Sequence, residues 1–536
     1  MPHSGPRPGM SDRSGCQVFA DLNTPRWARL RVGQGSVIIN INGIPQTTVL
    51  AGVAARLMNE DSGLQPVALL SPSTKQHADV RAVLESFGIR QCVRLSRNPL
   101  SRPLTLLKAM RDARRANRVI AEEGFEAFIQ HFQVNGVFVG DLLYDSLIRY
   151  HHTYRHPEGD PKKLQRTLRT GLWLFHACEG LVRRLDARCV IISETVYAIS
   201  EAMLLRIATQ RGQRALFVNS SFARFYSTYE ETFRDRFKVT PDLMTIARQH
   251  PNRRAVVDDY LGKRFAGKLA HHDVINAFRD KRVWTRAELA EHYQLGQRTG
   301  RKAIFLMPHC FSDANHKTRF LLFRDYYQWF RETLRVIREV DDVNWFIKPH
   351  PSSHHYLEEN QVEELVNQVK TAHVFLTPKD FSTTSVLNVA DAIVTVNGTI
   401  GLEAACAGVR PVLAADAVYG GFGFTLEPAS QEAYLTQLRT IGQVTPLTEA
   451  EVATAKDVLY CYQFLTRPKS EIIPAGSVRP GLTAKEFNQI YQDYYRTMAD
   501  NLQRMDLAAD SYLPSMARLI RTGRGSIIQT EPSNAG

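Results

Sequence analysis

The seven cysteines of this 536-residue chain form no CxxC pair. Their odd number and scattered positions argue against a disulfide framework or a zinc ribbon, and for a reducing compartment. No run of about eighteen apolar residues occurs, so no membrane-spanning helix is expected. Residues 1–30 are rich in Pro, Gly, Ser and Arg and hold no apolar core run, so no secretory signal is expected either. The dinucleotide fingerprint GxGxxG is missing from the first strand-to-helix turn. No zinc-finger spacing and no aromatic RNP-like run is found, which leaves nucleic acid without a recognition module.

What is present is ordinary for a globular protein: 44% hydrophobic and 23% charged residues. The length calls for two domains with extra helices. A net charge of +13 favours an anionic partner. The expectation is a cytoplasmic protein with a peripheral contact to an anionic inner membrane face, and no nucleic acid.

Residues 1–30 read as a disordered or loosely attached tail. Strand-length apolar runs follow at 36–41, 67–70, 92–95, 127–129, 189–193 and 215–218, with helical patterns at 48–58, 77–87, 104–123 and 164–185 between them. A helix is also expected from a cap at Ser193 or Thr195 to Gly212. Such alternation indicates a parallel sheet covered by helices on both faces. This first α/β domain is placed at 31–235 and a charged helical connector at 236–299. A second α/β domain is placed at 300–470, and C-terminal helices with a basic tail at 471–536.

Two stretches of the second domain carry the chemistry. In Trp345–Pro351, WFIKPHP, an apolar strand ends in Lys348, Pro349, His350 and Pro351. The flanking prolines restrict the backbone around His350. In Asp391–Pro411, a strand ends at Asn397, Gly398 and Thr399, and a helical pattern runs on to Gly408. Ligands of open α/β sheets sit beyond the carboxyl ends of the strands. Backbone N–H groups at a helix start suit a phosphate there. Glu403 is one residue too far along to close a capping box with Thr399.

Candidate carboxylates lie elsewhere. Asp141 and Asp145 fall on one face of a helix if Asn135–Arg149 is helical; a solvated face is the bland reading. Glu194 sits at a strand's carboxyl end, where it faces the cleft or stabilises a helix dipole. His309, Asp313 and His316 follow the strand at 301–307. Their spacing admits a metal, but a phosphate- or sugar-binding loop is favoured, and no metal is expected.

KPHP after a strand, followed by NGTIGLEA, resembles the C-terminal half of GT-B glycosyltransferases, above all the bacterial capsule-polysaccharide synthesis group. The His-Pro pair is also similar to bacterial sialyltransferases and Kdo transferases, which use CMP-sugars. GDLLYDSLIR (Gly140–Arg149) resembles a stretch of the N-terminal half of the capsule group. The resemblance implies two Rossmann-type domains facing a cleft, with connector and C-terminal helices added. It implies a glycosyltransferase moving a sugar from a nucleotide-sugar, with a lean toward a CMP-linked donor, onto a surface polysaccharide or lipid-linked acceptor. The nucleotide-sugar is substrate, and no cofactor is implied. Lys348, His350 and Pro351 with Asn397, Gly398 and Thr399 would hold the donor phosphate, and Glu403 the ribose. Asp141, Asp145, Glu194, His309 and Asp313 are the catalytic candidates. The alternatives are a CDP-polyol phosphotransferase of teichoic-acid type, a nucleotide-sugar 2-epimerase, and a non-catalytic membrane-surface scaffold.

Overall fold

The structure is a computed structural model that describes residues 13–70, 77–95, 102–268, 281–369, 371–474, 476 and 482–529. Two open sheets organise it. The first is built from β1 (Ser36–Ile41), β2 (Gln65–Leu70), β3 (Cys92–Arg94), β6 (Ala187–Ile192), β7 (Arg214–Asn219) and β8 (Phe222–Tyr226). Their order is β3-β2-β1-β6-β7-β8, parallel except for the antiparallel β8. A small hairpin, β4 (Gln133–Val134) with β5 (Val137–Phe138), stands apart. The second sheet holds β9 (Ala303–Leu306), β10 (Asn344–Ile347), β11 (Val374–Leu376), β12 (Ala392–Thr395) and β13 (Arg410–Leu413). It is wholly parallel, in the order β11-β10-β9-β12-β13.

The central strands are buried on both faces, and so read as continuous β-branched runs rather than alternating ones. In each sheet the chain reverses its winding once, between β1 and β6 and between β9 and β12. Crevices at such switch points are where doubly wound folds bind ligands. The expected α/β class with two Rossmann-type sheets is observed.

Local differences have local causes. Gly15–Asn23 is a helix capped by Ser14, with Cys16 and Phe19 buried, so the expectation of a loose tail fails for residues 13–30; residues 1–12 lie outside the described residues. That short helix packs on the long C-terminal helix Ala484–Arg504, where Phe19 meets Tyr495 at 5.9 Å. This long-range partner is invisible in a local pattern. Residues 127–129 are not a strand but the last turns of the helix Pro103–His131, which bends at Gly124 (φ +85°). The helix expected from Ser193 or Thr195 starts at Ser200; the preceding loop holds Tyr197 at φ +65°.

After β11 a short helix, Thr383–Val389, is capped by Ser382, whose hydroxyl accepts from the Ser385 N–H. In the connector, Pro241–Arg248 and Arg253–Phe265 are helices packed on the second domain, and 269–280 lie outside the described residues. The C-terminal segment returns to the first domain. Tyr512 Oη donates to the Asn219 carbonyl (2.9 Å), and the Ile527 N–H to that of Ala223 (2.8 Å).

Candidate functional site at the second switch point

Beyond the carboxyl ends of β9, β10 and β12 opens a pocket of about 720 Å³. β9 delivers Met307, Pro308 and His309; β10 delivers Lys348 to Ser352; β12 delivers Thr395 and the Gly398–Thr399 turn. Glu403 and Arg264 close one side. The two motifs singled out in the sequence thus line one cavity, because β10 and β12 flank β9.

Lys348 dominates the electrostatics. It is only 7% exposed, and it makes no ion pair among the described residues. Burial, and after it the charge of Lys281, brings its pKa down from 10.5 to about 8. A buried cation without a counter-ion is costly to maintain. A perturbed group of this kind that lines a cleft is a functional-site candidate.

His350 is held for donation. Its Nδ1 accepts from the Ser352 N–H at 3.2 Å, with Cys310 Sγ at 3.5 Å. With Nδ1 accepting, Nε2 is the ring nitrogen left to donate into the pocket. His309 has another task. Burial first, then Lys317 and His350, hold its pKa well below the ordinary value, so it is neutral. Its Nε2 faces the Asn397 N–H at 3.5 Å, and its ring stacks on Tyr326 at 4.7 Å. It supports the turn rather than offering a base.

The Asn397–Thr399 turn is fixed from behind as well. Tyr419 Oη donates to the Gly398 carbonyl at 2.6 Å. A Cβ on Gly401 would lie 2.0 Å from that same oxygen, so glycine is required by close approach. The Tyr419–Gly423 loop therefore anchors the site through a fully buried tyrosine. Asn397 is buried, and its Oδ1 has no hydrogen-bond partner among the described residues.

Glu403, 6% exposed, receives Arg264 Nε at 2.9 Å. This contact comes from the connector helix Arg253–Phe265, and the spacing around Glu403 did not anticipate it. A ribose hydroxyl would share the carboxylate with Arg264. A second cavity of about 600 Å³ continues past Arg264, Thr399 and Glu403 toward Tyr260, Tyr462 and Arg467.

The other candidate carboxylates separate. Asp141 is locked in a buried bidentate pair with Arg206, both contacts 2.6 Å. Burial pushes its pKa up, but Arg206 outweighs this and holds it below the usual value, which makes it a poor base and a structural ion. Asp145 is buried and accepts from the His316 backbone N–H (2.9 Å) and ring Nδ1 (2.6 Å). It joins the first domain's helix Gly140–His151 to the loop after β9. Glu194 is paired with Arg236 and accepts from the Thr195 N–H at 2.8 Å.

Asp313 is the exception. It is partly exposed and lies beside Tyr197 Oη of the first domain at 3.4 Å, with no ion pair among the described residues. The His309, Asp313 and His316 side chains do not converge. No group of three or more metal-ligating residues occurs among the described residues. No described helix is long and apolar enough to cross a membrane.

The sequence reading missed Arg264, the role of Tyr419, and His316 as the partner of Asp145. Arg264 sits in a charge-rich connector with no motif, so no local signal marked it.

Residues 328–460 match the model of a family described as capsule polysaccharide biosynthesis protein. That span contains Lys348, His350, Asn397–Thr399 and Glu403. No curated protein matches the chain. Among solved structures, the chain is similar to the beta Kdo 2,7 transferase KpsC of Thermosulfurimonas dismutans: 14% identity, TM-score 0.33, 59% of this chain and 89% of that one. It is also similar to UDP-GlcNAc 2-epimerase from Neisseria meningitidis, at 9% identity, TM-score 0.23, 80% of this chain and 98% of that one. Anabaena Alr3699/HepE in complex with UDP-glucose gives 9%, 0.24, 88% and 99%. These scores are too low to carry an argument about chemistry. The family match is confined to residues 328–460, and that stretch supplies most of the residues that line the pocket.

Proposed function

We propose that the chain is a glycosyltransferase of capsule biosynthesis that binds the phosphate of a nucleotide-sugar in the pocket beyond β9, β10 and β12. One observation carries this reading: Lys348 is buried, without an ion pair among the described residues, and lines a cavity at a switch point. A phosphate would supply the missing charge. As the sugar–phosphate bond breaks, negative charge builds on the leaving phosphate. A fixed ammonium and the His350 Nε2–H, held in a site of low dielectric, stabilise that charge. Hydrogen bonds to a charged group are worth about 1.5–3 kcal/mol each.

On the acceptor side, Asp313 is the carboxylate that fits a base. It is not committed to a cation among the described residues, and Tyr197 of the facing domain adjoins it. Asp145 fits the role of positioning His316. Glu403 suits the ribose, in competition with Arg264. A family match and the Lys348 pocket support this reading; a lean toward CMP-linked sugars rests only on the His-Pro resemblance.

The test is a thermal-shift screen of CMP, CDP, UDP and GDP, followed by transfer assays with the sugars of whichever nucleotide binds. A bound nucleotide raises the melting temperature by mass action. Asp313→Asn is expected to keep that shift and lose transfer. Absence of any nucleotide shift in the wild-type protein refutes the reading.

A further inference from the structure

The basic character of the chain is not spread evenly. Two antiparallel helices of the first domain lie side by side: the first part of Pro103–His131, and Pro161–Arg184. They are tied by His176 Nε2 to Asp112 (2.8 Å) and by Asn117 to Gln165 (2.6 Å). Between Pro103 and Val119 the first helix carries Lys108, Arg111, Arg114, Arg115 and Arg118. The second carries Lys162, Lys163, Arg166, Arg169, Arg183 and Arg184. All of these cations are exposed. The acids in the same two stretches, Asp112 and Glu179, are both buried against His176; they also pair with Arg111, Arg115 and Arg183, and no other acid of these stretches faces the remaining cations.

A solvated face of a stable protein mixes signs. Here Arg111, Arg114, Arg115 and Arg118 repeat one sign at helical spacing, and like charges at that spacing weaken a helix. Leu104 and Leu107 continue the same row one turn earlier, at 74% and 62% exposure. The spacing 104, 107, 111, 114, 118 keeps leucines and arginines on one side of the helix.

We infer that this two-helix face docks the protein on an anionic phospholipid surface, with the cations at the headgroups and Leu104 and Leu107 in the interface. Charge complementarity selects an anionic partner. The two exposed leucines select lipid over a soluble acidic polymer, which offers no apolar layer. Interfacial helices combine a basic face with apolar side chains that enter the headgroup boundary. The inference does not depend on the nucleotide pocket.

The test is co-sedimentation of the full chain with phosphatidylcholine vesicles, and with vesicles that also contain a quarter phosphatidylglycerol. The wild type is expected on the anionic vesicles only, and to leave them at 0.5 M salt, where screening is complete within a few ångströms. Arg114, Arg118 and Arg166 make no hydrogen bond or ion pair among the described residues, so R114Q/R118Q/R166Q leaves the fold intact. It is expected to lower partitioning by on the order of a hundredfold. L104S/L107S is expected to lower it by about tenfold with melting temperature unchanged. Equal binding to neutral vesicles, no binding to either, or full binding by R114Q/R118Q/R166Q overturns the inference. Unchanged binding by L104S/L107S, together with displacement by heparin, reassigns the face to an acidic polymer and overturns it too.

Discussion

Replacing Lys348 with Met should stabilise the ligand-free protein and abolish its response to nucleotide. An unfolded lysine titrates near 10.5, whereas burial and then Lys281 bring the folded group to about 8. At about 1.4 kcal/mol per pH unit, that gap puts a penalty on the order of 3 kcal/mol on the charged folded state. The sign follows from proton counts. Below pH 8 both states hold the proton, and the folded state bears the whole penalty. Between pH 8 and 10.5 the unfolded chain holds a proton that the folded chain has released, so wild-type stability rises with pH. Above 10.5 the penalty is gone. Met has similar volume and no charge, so Lys348→Met should be more stable at pH 7 by about 2–3 kcal/mol, several degrees in melting temperature. Its advantage should shrink through the same window and vanish near pH 10.5. Calorimetric scans of both proteins at pH 7, 8.5 and 10 read this directly. Nucleotide at a hundred times its dissociation constant should stabilise the wild type by about 2.7 kcal/mol and leave the variant unmoved. A variant less stable at pH 7, or a difference independent of pH, would mean that Lys348 already has its counter-charge, and the anion site would fall.

The other predictions concern the residues around that pocket. Gly401→Ala should cost about 1–3 kcal/mol through the clash with Tyr419 Oη, and Tyr419→Phe should relieve part of it; additive effects in a double-mutant cycle on melting temperature would refute the contact. Asp141→Asn, which leaves Arg206 buried and unpaired, should destabilise by about 3–5 kcal/mol; a fully stable but inactive variant would return Asp141 to the catalytic list. Glu403→Gln should weaken binding of a ribonucleotide more than that of its 2′,3′-dideoxy analogue; equal losses in calorimetric titration would leave Glu403 only its ion pair with Arg264. Transfer activity should survive EDTA, and restoration of a lost activity by a divalent ion would make the loop histidines ligands.

The sequence by itself determined the central strands and the two motifs. Strand-length β-branched runs such as Ser36–Ile41 and Ala392–Thr395 identify themselves, because a strand buried on both faces needs apolar residues at every position. Pro349, Pro351 and Gly398 punctuate strand ends, because their backbone limits are local properties. Lys348 and His350 were legible for the same reason. What the sequence left open were partners far along the chain. Asp141 and Asp145 look alike on a helix face, and only packing gives Arg206 to one and His316 to the other. Glu403 acquires Arg264 from a helix more than a hundred residues away, at a separation of 139. The short helix Gly15–Asn23 looks like a tail until Ala484–Arg504 covers it. Tertiary structure decided these roles, because the charge state and availability of a carboxylate depend on which cation shares its desolvated neighbourhood, and no local spacing encodes that.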